Sequence, residues 1–179
     1  MMAAIASGDT AHALKLLMAV YGAAVFAFCC RVMRDKTQAA DVLQEVFEQA
    51  YRDLATWQQR SSLRSWLFGI ANHRCLDAIK ARGRRERRFV SHDGEHDVAS
   101  PEVDPTQRLD GVTRAQALEQ CLEGLSPQSR TTVLLRYQEN LSYEEIGRVC
   151  DEKADTVRAR VVRALPALRG CLEGKGIEP

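Results

Sequence analysis

Two adjacent segments near the end of the chain constrain its fold more than any other feature. In the first, residues 141–147, Ser142 and Glu145 have the spacing of a capping box, in which a hydroxyl and a carboxylate bind free amides at a helix start. In the second, residues 154–163, Asp155 opens a helical pattern whose later turns carry arginines. A short helix, a tight bend and a cationic helix form a helix-turn-helix, whose second helix can enter a DNA major groove.

The remaining apolar pattern predicts an all-α protein. The β-branched alternation typical of strands is absent from the sequence, and glycine and proline are rare in its first half. We expect helices over residues 10–34 and 37–55, and a third that Ser62 caps and that continues to about residue 84. These three helices have enough apolar surface to form a compact bundle.

Composition divides the chain into two small helical domains and a linker. Residues 1–90 contain the three-helix bundle, and residues 112–175 contain shorter helices, one of them opened by Ser126 and Pro127. Residues 91–111 are acidic and poor in apolar side chains, which predicts a flexible linker. The net charge of +1 therefore conceals a basic stretch before this linker and an acidic stretch within it.

Residues 11–32 are apolar enough to raise the question of a membrane span. His12, Lys15 and Arg31 interrupt the run, so we expect a buried bundle helix and no direct membrane insertion. Residues 1–10 lack a basic leader and a long apolar run, so we expect no signal peptide and a cytoplasmic protein.

The six cysteines contain no C-x-x-C pair. We expect reduced thiols that fill small positions in the core of a cytoplasmic protein. The alternative is a zinc or redox site built from Cys121, Cys150 and Cys171.

Three blocks of sequence, in order, resemble the extracytoplasmic-function sigma factors of bacterial RNA polymerase. Residues 41–47 are similar to the helix with which that family docks on the polymerase. Residues 62–77 and the basic stretch after them resemble its promoter-melting segment, and residues 125–127 with the helix-turn-helix complete the pattern. The resemblance implies sigma region 2 over residues 1–90 and sigma region 4 over residues 112–175. It implies promoter recognition, DNA melting and transcription initiation with the core polymerase, and no chemistry by the chain itself.

The resemblance also implies three sets of site residues. The stripe expected to bind core polymerase is Asp41, Gln44, Glu45 and Glu48. The residues expected to bind the minus-ten element are Gln58, Arg60, Ser61, Ser62, Arg64, Asn72, Arg74, Lys80 and Arg84. The loop from Gln58 to Ser62 would form a pocket for a flipped base, and Asn72 and Arg74 would border it. Lys80 and Arg84 would hold phosphates. The residues expected at the minus-thirty-five element are Ser142, Tyr143, Thr156, Arg158, Ala159, Arg160 and Arg163.

Other side chains have structural expectations. Val157, Val161 and Leu165 should pack inward against the support helix, while Arg130 and Arg136 should contact the DNA backbone or the polymerase flap. Asp155, Leu165 and Pro166 depart from the family pattern and reduce its phosphate anchors. Pro166 should also kink or end the last helix.

The partners implied are core polymerase, promoter DNA as duplex and melted strand, and an anti-sigma factor. A different class remains open: a stand-alone helix-turn-helix regulator whose first bundle is a sensor or dimerisation domain. An enzyme has little support, since the sequence has no phosphate-binding glycine loop, metal-ligand spacing or nucleophile–base pair. We therefore expect no catalytic residue, metal or cofactor.

Overall fold

The structure is a computed structural model that describes residues 2–90 and 114–177. All regular secondary structure in these two ranges is helical, so the all-α prediction is confirmed. The eight α-helices of the described residues are α1 (Met2–Ala6), α2 (Thr10–Met33), α3 (Lys36–Asp53), α4 (Leu63–Val90), α5 (Arg114–Glu123), α6 (Pro127–Tyr137), α7 (Tyr143–Cys150) and α8 (Ala154–Gly174). A 3-10 turn, Leu54–Thr56, follows α3. The expected acidic linker lies outside the described residues.

α2, α3 and α4 form the predicted bundle, which we call the N-terminal module together with α1. Phe28, Val46 and Phe68 come from the three helices and are fully buried. The rings of Phe28 and Phe68 meet edge to face with their centroids 5.4 Å apart. Asp35 caps α3 by accepting a hydrogen bond from the backbone amide of Gln38, and this bond lowers the pKa of the Asp35 carboxyl. The bundle is therefore fixed at a helix start as well as at its centre.

Local details of this module differ from the predictions. α1 lies ahead of the first predicted helix. α4 continues to Val90, past the predicted end near residue 84, because arginine is a good helix former and Gly83 alone does not stop the helix. Tyr51 of α3 is exposed, and it lies at the edge of the apolar face beside Met18.

Among the described helices, α2 is long and apolar enough to cross a membrane by length and composition alone. In this structure it occupies the predicted place in the bundle. Leu17, Val25 and Phe28 are buried along one side of it, where it packs on α3 and α4. Met18 and Val20 on its other side are exposed.

α5 to α8 form a second unit, which we call the C-terminal module. Ser126 accepts a hydrogen bond from the backbone amide of Ser129 at the start of α6, with Pro127 in the first turn. The capping box predicted for Ser142 and Glu145 is present at the start of α7. These local signals are read correctly from sequence because each donor and acceptor lie within three residues of one another.

The structure differs from two expectations for α8. Pro166 lies inside the helix, which continues to Gly174, so the proline does not end the helix. Leu165, predicted to pack inward, is 38% exposed, whereas Val157 and Val161 are buried as predicted. A proline inside a helix removes one backbone hydrogen bond and crowds the preceding turn. Buried Leu168 keeps the following turn packed on the module, so the helix continues.

The expectation of reduced thiols is wrong for one pair of cysteines. A disulfide joins Cys121 of α5 to Cys171 of α8, with Cα atoms 5.8 Å apart. Cys150, the third member of the alternative zinc or redox site, is free. The spacing of 50 residues in sequence does not reveal that α5 and the end of α8 lie side by side.

The two modules pack against each other in what we call the closed arrangement. α7 lies on α4, and α5 and α6 lie on the end of α2. Arg31 and Arg34 of α2 form ion pairs with Glu119 and Glu123 of α5, at 2.6 and 2.9 Å. Arg31 also donates a hydrogen bond to the side chain of Gln138. This contact determines what several predicted site residues touch.

Candidate nucleic-acid interface

The predicted polymerase-binding residues form one exposed stripe on α3. Asp41, Gln44, Glu45 and Glu48 are all exposed and recur at intervals of three and four residues, so they share a helix face. Gln44 donates a hydrogen bond to Glu48 at 2.9 Å, and the guanidinium of Arg74 lies 3.9 Å from Glu45. The stripe is therefore acidic, and arginines of α4, among them Arg74 and Arg82, lie at its edge.

An apolar recess that the sequence did not single out lies beside this acidic stripe. Its volume is about 570 Å³, and its lining includes Leu14, Met18, Leu43, Phe47 and Tyr51. Partly exposed apolar side chains next to carboxylates suit a partner that is both basic and apolar. The sequence does not reveal this recess, because the apolar residues that α3 contributes to it also fit the buried face of that helix.

The loop before α4 brings together three of the residues predicted to border a base pocket. Gln58, Arg60 and Ser61 line a cavity of about 320 Å³ together with Trp57 and Trp66. The two indole rings lie 6.1 Å apart at an angle of 42°. A cavity with aromatic walls and polar side chains at its rim has the chemistry that binds an unstacked base.

Other residues of this set contact the C-terminal module instead. Arg64 forms a 2.6 Å ion pair with Glu139, which is only 2% exposed. Ser62 caps α4 and also lies 3.3 Å from a carboxylate oxygen of Glu145. In the closed arrangement Ser62 and Arg64 therefore contact the C-terminal module, and their contact with the minus-ten element stays a prediction. Docking between modules cannot be inferred from a local sequence pattern.

Asn72 is the most deeply covered of the predicted DNA-binding residues, at 2% exposure. Its amide donates a hydrogen bond of 3.4 Å to the carbonyl of Val149, at the end of α7. The carbonyl oxygen of Asn72 and the hydroxyl of Ser65 are buried without a hydrogen-bond partner among the described residues. Most buried polar groups in proteins have a hydrogen-bond partner, so these two atoms are exceptions at the contact between the modules.

A cavity of about 520 Å³ lies between the modules at this point. Ser65, His73 and Arg74 line it from α4, and Arg148 lines it from α7. Ser65 is absent from the predicted site, because a serine within an apolar helix gives no signal in sequence.

The basic residues of α4 differ in exposure and in the contacts that hold their side chains. Arg74 donates a hydrogen bond of 2.8 Å to Gln49, so its guanidinium is held against α3. Lys80 and Arg84 are exposed, and Lys80 lies 3.8 Å from Asp77, a pair worth little in solvent. Lys80 and Arg84 are thus accessible to phosphate.

α8 presents four of its predicted DNA-binding residues to solvent. Thr156, Arg158, Ala159 and Arg163 are exposed. Arg160 is not: its guanidinium is partly buried and forms a 2.6 Å ion pair with Glu152 in the turn before α8. In this structure Arg160 therefore faces the turn before α8, and its contact with the minus-thirty-five element stays a prediction.

Tyr143, at the start of α7, lies between two of the module's cations. The guanidinium carbons of Arg136 and Arg158 are 5.0 and 6.0 Å from the centroid of its ring. The hydroxyl of Ser142 is already used in the capping box. Tyr143 therefore sets the orientation of Arg158 at the exposed face of α8.

Arg130 and Arg136, predicted to contact DNA or polymerase, face the protein. Arg130 is 3% exposed and donates to carbonyl oxygens of both modules, including that of Val32 at 3.0 Å. Burial lowers the pKa of its guanidinium. Arg136 donates to the carbonyl of Leu141 at 3.0 Å. The prediction for Arg130 is wrong, because a carbonyl cluster formed by tertiary packing leaves no trace in sequence.

Comparison with known proteins gives the family. A model of Sigma-70 region 2 matches residues 17–85, and a model of Sigma-70, region 4 matches residues 115–168. The RNA polymerase sigma-H factor of Pseudomonas aeruginosa is 33% identical over 172 residues, which cover 90% of this chain and 87% of that protein. The ECF RNA polymerase sigma factor SigE of Mycolicibacterium smegmatis is 30% identical over 148 residues, 83% of this chain and 57% of that protein.

A solved structure supports the same assignment. The sigma factor RpoE of Bartonella quintana, crystallised with the anti-sigma factor NepR, is 25% identical with a TM-score of 0.71, over 89% of this chain and 96% of that one. Two matched regions in the expected order and a relative covered over most of its length lead to one conclusion: the chain belongs to the extracytoplasmic-function group of the RNA polymerase sigma-70 family.

Proposed function

We propose that this sigma factor divides its work between its two modules. The N-terminal module (residues 1–90) would dock on core polymerase and open the minus-ten element, and the C-terminal module (residues 112–175) would bind the minus-thirty-five element. The observation that carries this proposal is the exposed face of α8, where Thr156, Arg158 and Arg163 project from a helix that α7 supports. Each contact alone would be weak. Polymerase that holds both modules at the promoter spacing would make them strong through effective concentration.

Docking on the polymerase would use the acidic stripe of α3. Exposed carboxylates steer association with a basic partner, and the apolar recess beside them supplies area to bury. Glu45→Lys should therefore weaken binding to core polymerase by about tenfold or more, because it places like charges opposite each other. The matched control is Glu173→Lys, which reverses an exposed charge at the end of α8 and should bind normally.

Melting would use the cavity between Trp57 and Trp66. A base that leaves the duplex could stack on these rings while Gln58, Arg60 and Ser61 bind its edge. Lys80 and Arg84 would hold the displaced backbone, a contact that sets affinity and salt dependence rather than sequence.

DNA binding by this route requires that the closed arrangement open. Arg64 and Asn72 cannot reach a nucleic acid while they bind Glu139 and the carbonyl of Val149. We infer that core polymerase separates the modules, because it would bind the N-terminal module at α3 and hold the C-terminal module at a distance set by the promoter.

An anti-sigma factor would act on this equilibrium. RpoE of Bartonella quintana is described in complex with the anti-sigma factor NepR, and CnrH with the cytosolic domain of CnrY. We infer that this chain has a partner of that class, that it acts in the cytoplasm, and that it regulates transcription without catalysing a reaction.

Run-off transcription with purified core polymerase on candidate promoters tests the proposal. A product of defined length should form only when the chain is added. The stand-alone regulator predicts the opposite pattern, with specific duplex binding by the purified chain alone and no dependence on core polymerase. That pattern, or a chain that fails to retain core polymerase in a pull-down, would overturn the proposal.

A further inference from the structure

The structure assigns a redox-controlled site to the C-terminal module: Cys121 and Cys171 form a reversible disulfide that fastens the end of α8 to α5 and favours the closed arrangement. We call this bond the clasp. Among the described residues it is the disulfide that the structure contains, and its two cysteines are 50 positions apart in sequence. In cytoplasmic proteins, where thiols are kept reduced, disulfides usually form transiently as redox sensors. The inference therefore rests on the proposed cytoplasmic location.

The end of α8 depends on the clasp for its order. Pro166 leaves one backbone carbonyl of the helix without its usual donor, and Gly170 and Gly174 are poor helix formers. The glycines have open space around them and add no packing. In the last two turns Leu168 is buried at 7% exposure, and Cys171 and Leu172 are only partly buried. A helix segment of this kind is marginal unless tertiary contacts hold it, and the bond to α5 is the strongest of them.

The chemistry of the site allows exchange with a small disulfide. Cys171 is half-exposed, whereas Cys121 is buried behind it, so a thiolate at Cys171 can attack a sulfur of glutathione disulfide and release one glutathione thiolate. Cys121 then attacks the sulfur of Cys171 in the mixed disulfide and releases the second. The two protein thiols lose two electrons and two protons, and one glutathione disulfide becomes two glutathione thiols. Glutathione in excess reverses both steps.

The clasp acts on the contact between modules through α5. Glu119 and Glu123 of α5 bind Arg31 and Arg34 of α2 at 2.6 and 2.9 Å. α5 is only 10 residues long, so its position depends on what it packs against. When the clasp fixes α5 on α8, both glutamates are held in the geometry of the ion pairs and less order is lost on docking. Oxidation should therefore stabilise the closed arrangement, and reduction should loosen it.

The test uses the full chain, equilibrated with glutathione disulfide or with excess glutathione. Peptide mapping without reductant should find Cys121 linked to Cys171 only after oxidation. Hydrogen exchange of residues 167–174 should be slower by roughly tenfold or more in the oxidised chain. Transcription with core polymerase should be about fivefold lower from the oxidised chain than from the reduced chain.

Two variants sharpen the test. In both buffers, Cys171→Ser should show the hydrogen-exchange rates and the transcription of the reduced protein. The matched control, Cys150→Ser, removes a free cysteine of the same module and should keep the full response to glutathione. The inference would be overturned if the Cys121–Cys171 peptide did not form, or if hydrogen exchange of residues 167–174 were the same in both buffers.

A different outcome would count against the proposed function: the linked peptide forms and hydrogen exchange changes, but no transcript appears in either buffer. A transcript that ignores the redox state despite a formed clasp would overturn the regulatory step alone.

Discussion

Gly147 lies where α7 meets the turn to α8, and the turn passes too close to it for any side chain. A Cβ atom placed there would lie 2.6 Å from the carbonyl oxygen of Glu152 and 3.4 Å from the amide nitrogen of Ala154. Gly147→Ala should therefore displace the turn and lower the free energy of unfolding by about 1–3 kcal/mol, measured by urea denaturation. Gly170→Ala is the control, because it meets open space within a helix and should stabilise by about 0.5–1 kcal/mol. Equal effects of the two substitutions would contradict this account.

The thiol of Cys150 should react slowly at neutral pH. Burial, with a further contribution from the nearby Glu152 carboxylate, raises the pKa of Cys150 to about 11. Only the thiolate reacts with iodoacetamide, so its alkylation rate in the folded protein should rise about tenfold per pH unit between pH 7 and 10. Mass spectrometry of the alkylated peptide measures this rate, with the urea-unfolded chain as reference. A plateau near pH 9 in the folded chain would show that the environment does not raise the pKa.

Residue-level predictions succeeded where the contact is local and failed where it is tertiary. The cap formed by Ser142 and Glu145 was readable because both partners lie in one turn of helix. The burial of Asn72 and of Arg130 was not predictable. Asn72 donates to a carbonyl of the other module, and Arg130 donates to carbonyls of both modules. Sequence indicates that a polar side chain needs partners, but it does not say which surface will supply them.

At the scale of the element, α8 combines an exposed basic face, proposed to bind DNA, with a buried face. Arg158→Ala and Arg163→Ala should each weaken binding of the polymerase complex to the minus-thirty-five element. Each should also lower the slope of log affinity against log salt by about 0.9, because one phosphate contact is lost. Fluorescence anisotropy across a salt series measures both quantities. Arg169→Ala removes an exposed arginine two turns further along and should leave the slope unchanged. If the slope fell equally for all three variants, the effect would come from the overall charge of α8 and not from a specific DNA-binding face.

The helices of this chain were more predictable than their ends. Periodicity and caps located α2, α3, α6 and α7 to within a few residues, because those signals lie within each helix. α8 passes through Pro166 because packing and the disulfide outside the helix hold its last turns, and nothing in the segment itself reports them. The rotation of α8 about its axis was equally uncertain. Arg160, expected to face DNA, is partly buried, and Leu165, expected to pack inward, is exposed.

For the whole molecule, the surfaces expected to meet DNA and the surfaces between the modules overlap. Arg64 and Asn72 bind Glu139 and the end of α7, so the N-terminal module cannot use these side chains for two partners at once. The family resemblance anticipated two helical units, but their docking depends on shape and on ion pairs such as Arg34 with Glu123, which have no local signature. If Arg64 and Asn72 bind DNA as proposed, competition for these residues would make the closed arrangement and the promoter-bound arrangement mutually exclusive.

One substitution can lock the closed arrangement with a cysteine that the chain already has. The amide nitrogen of Asn72 lies 4.0 Å from the sulfur of Cys150, across the contact between modules. Asn72→Cys should form a disulfide with Cys150 after mild oxidation, which peptide mapping would detect. Because the locked chain cannot expose Arg64 or separate its modules, promoter-dependent transcription should fall by about tenfold or more and recover on reduction. Asn72→Ser, treated in the same way, loses the same amide without forming the bond, so it corrects for the missing side chain and for the response of Cys121 and Cys171. A locked chain as active as this control would mean that initiation does not require the modules to part.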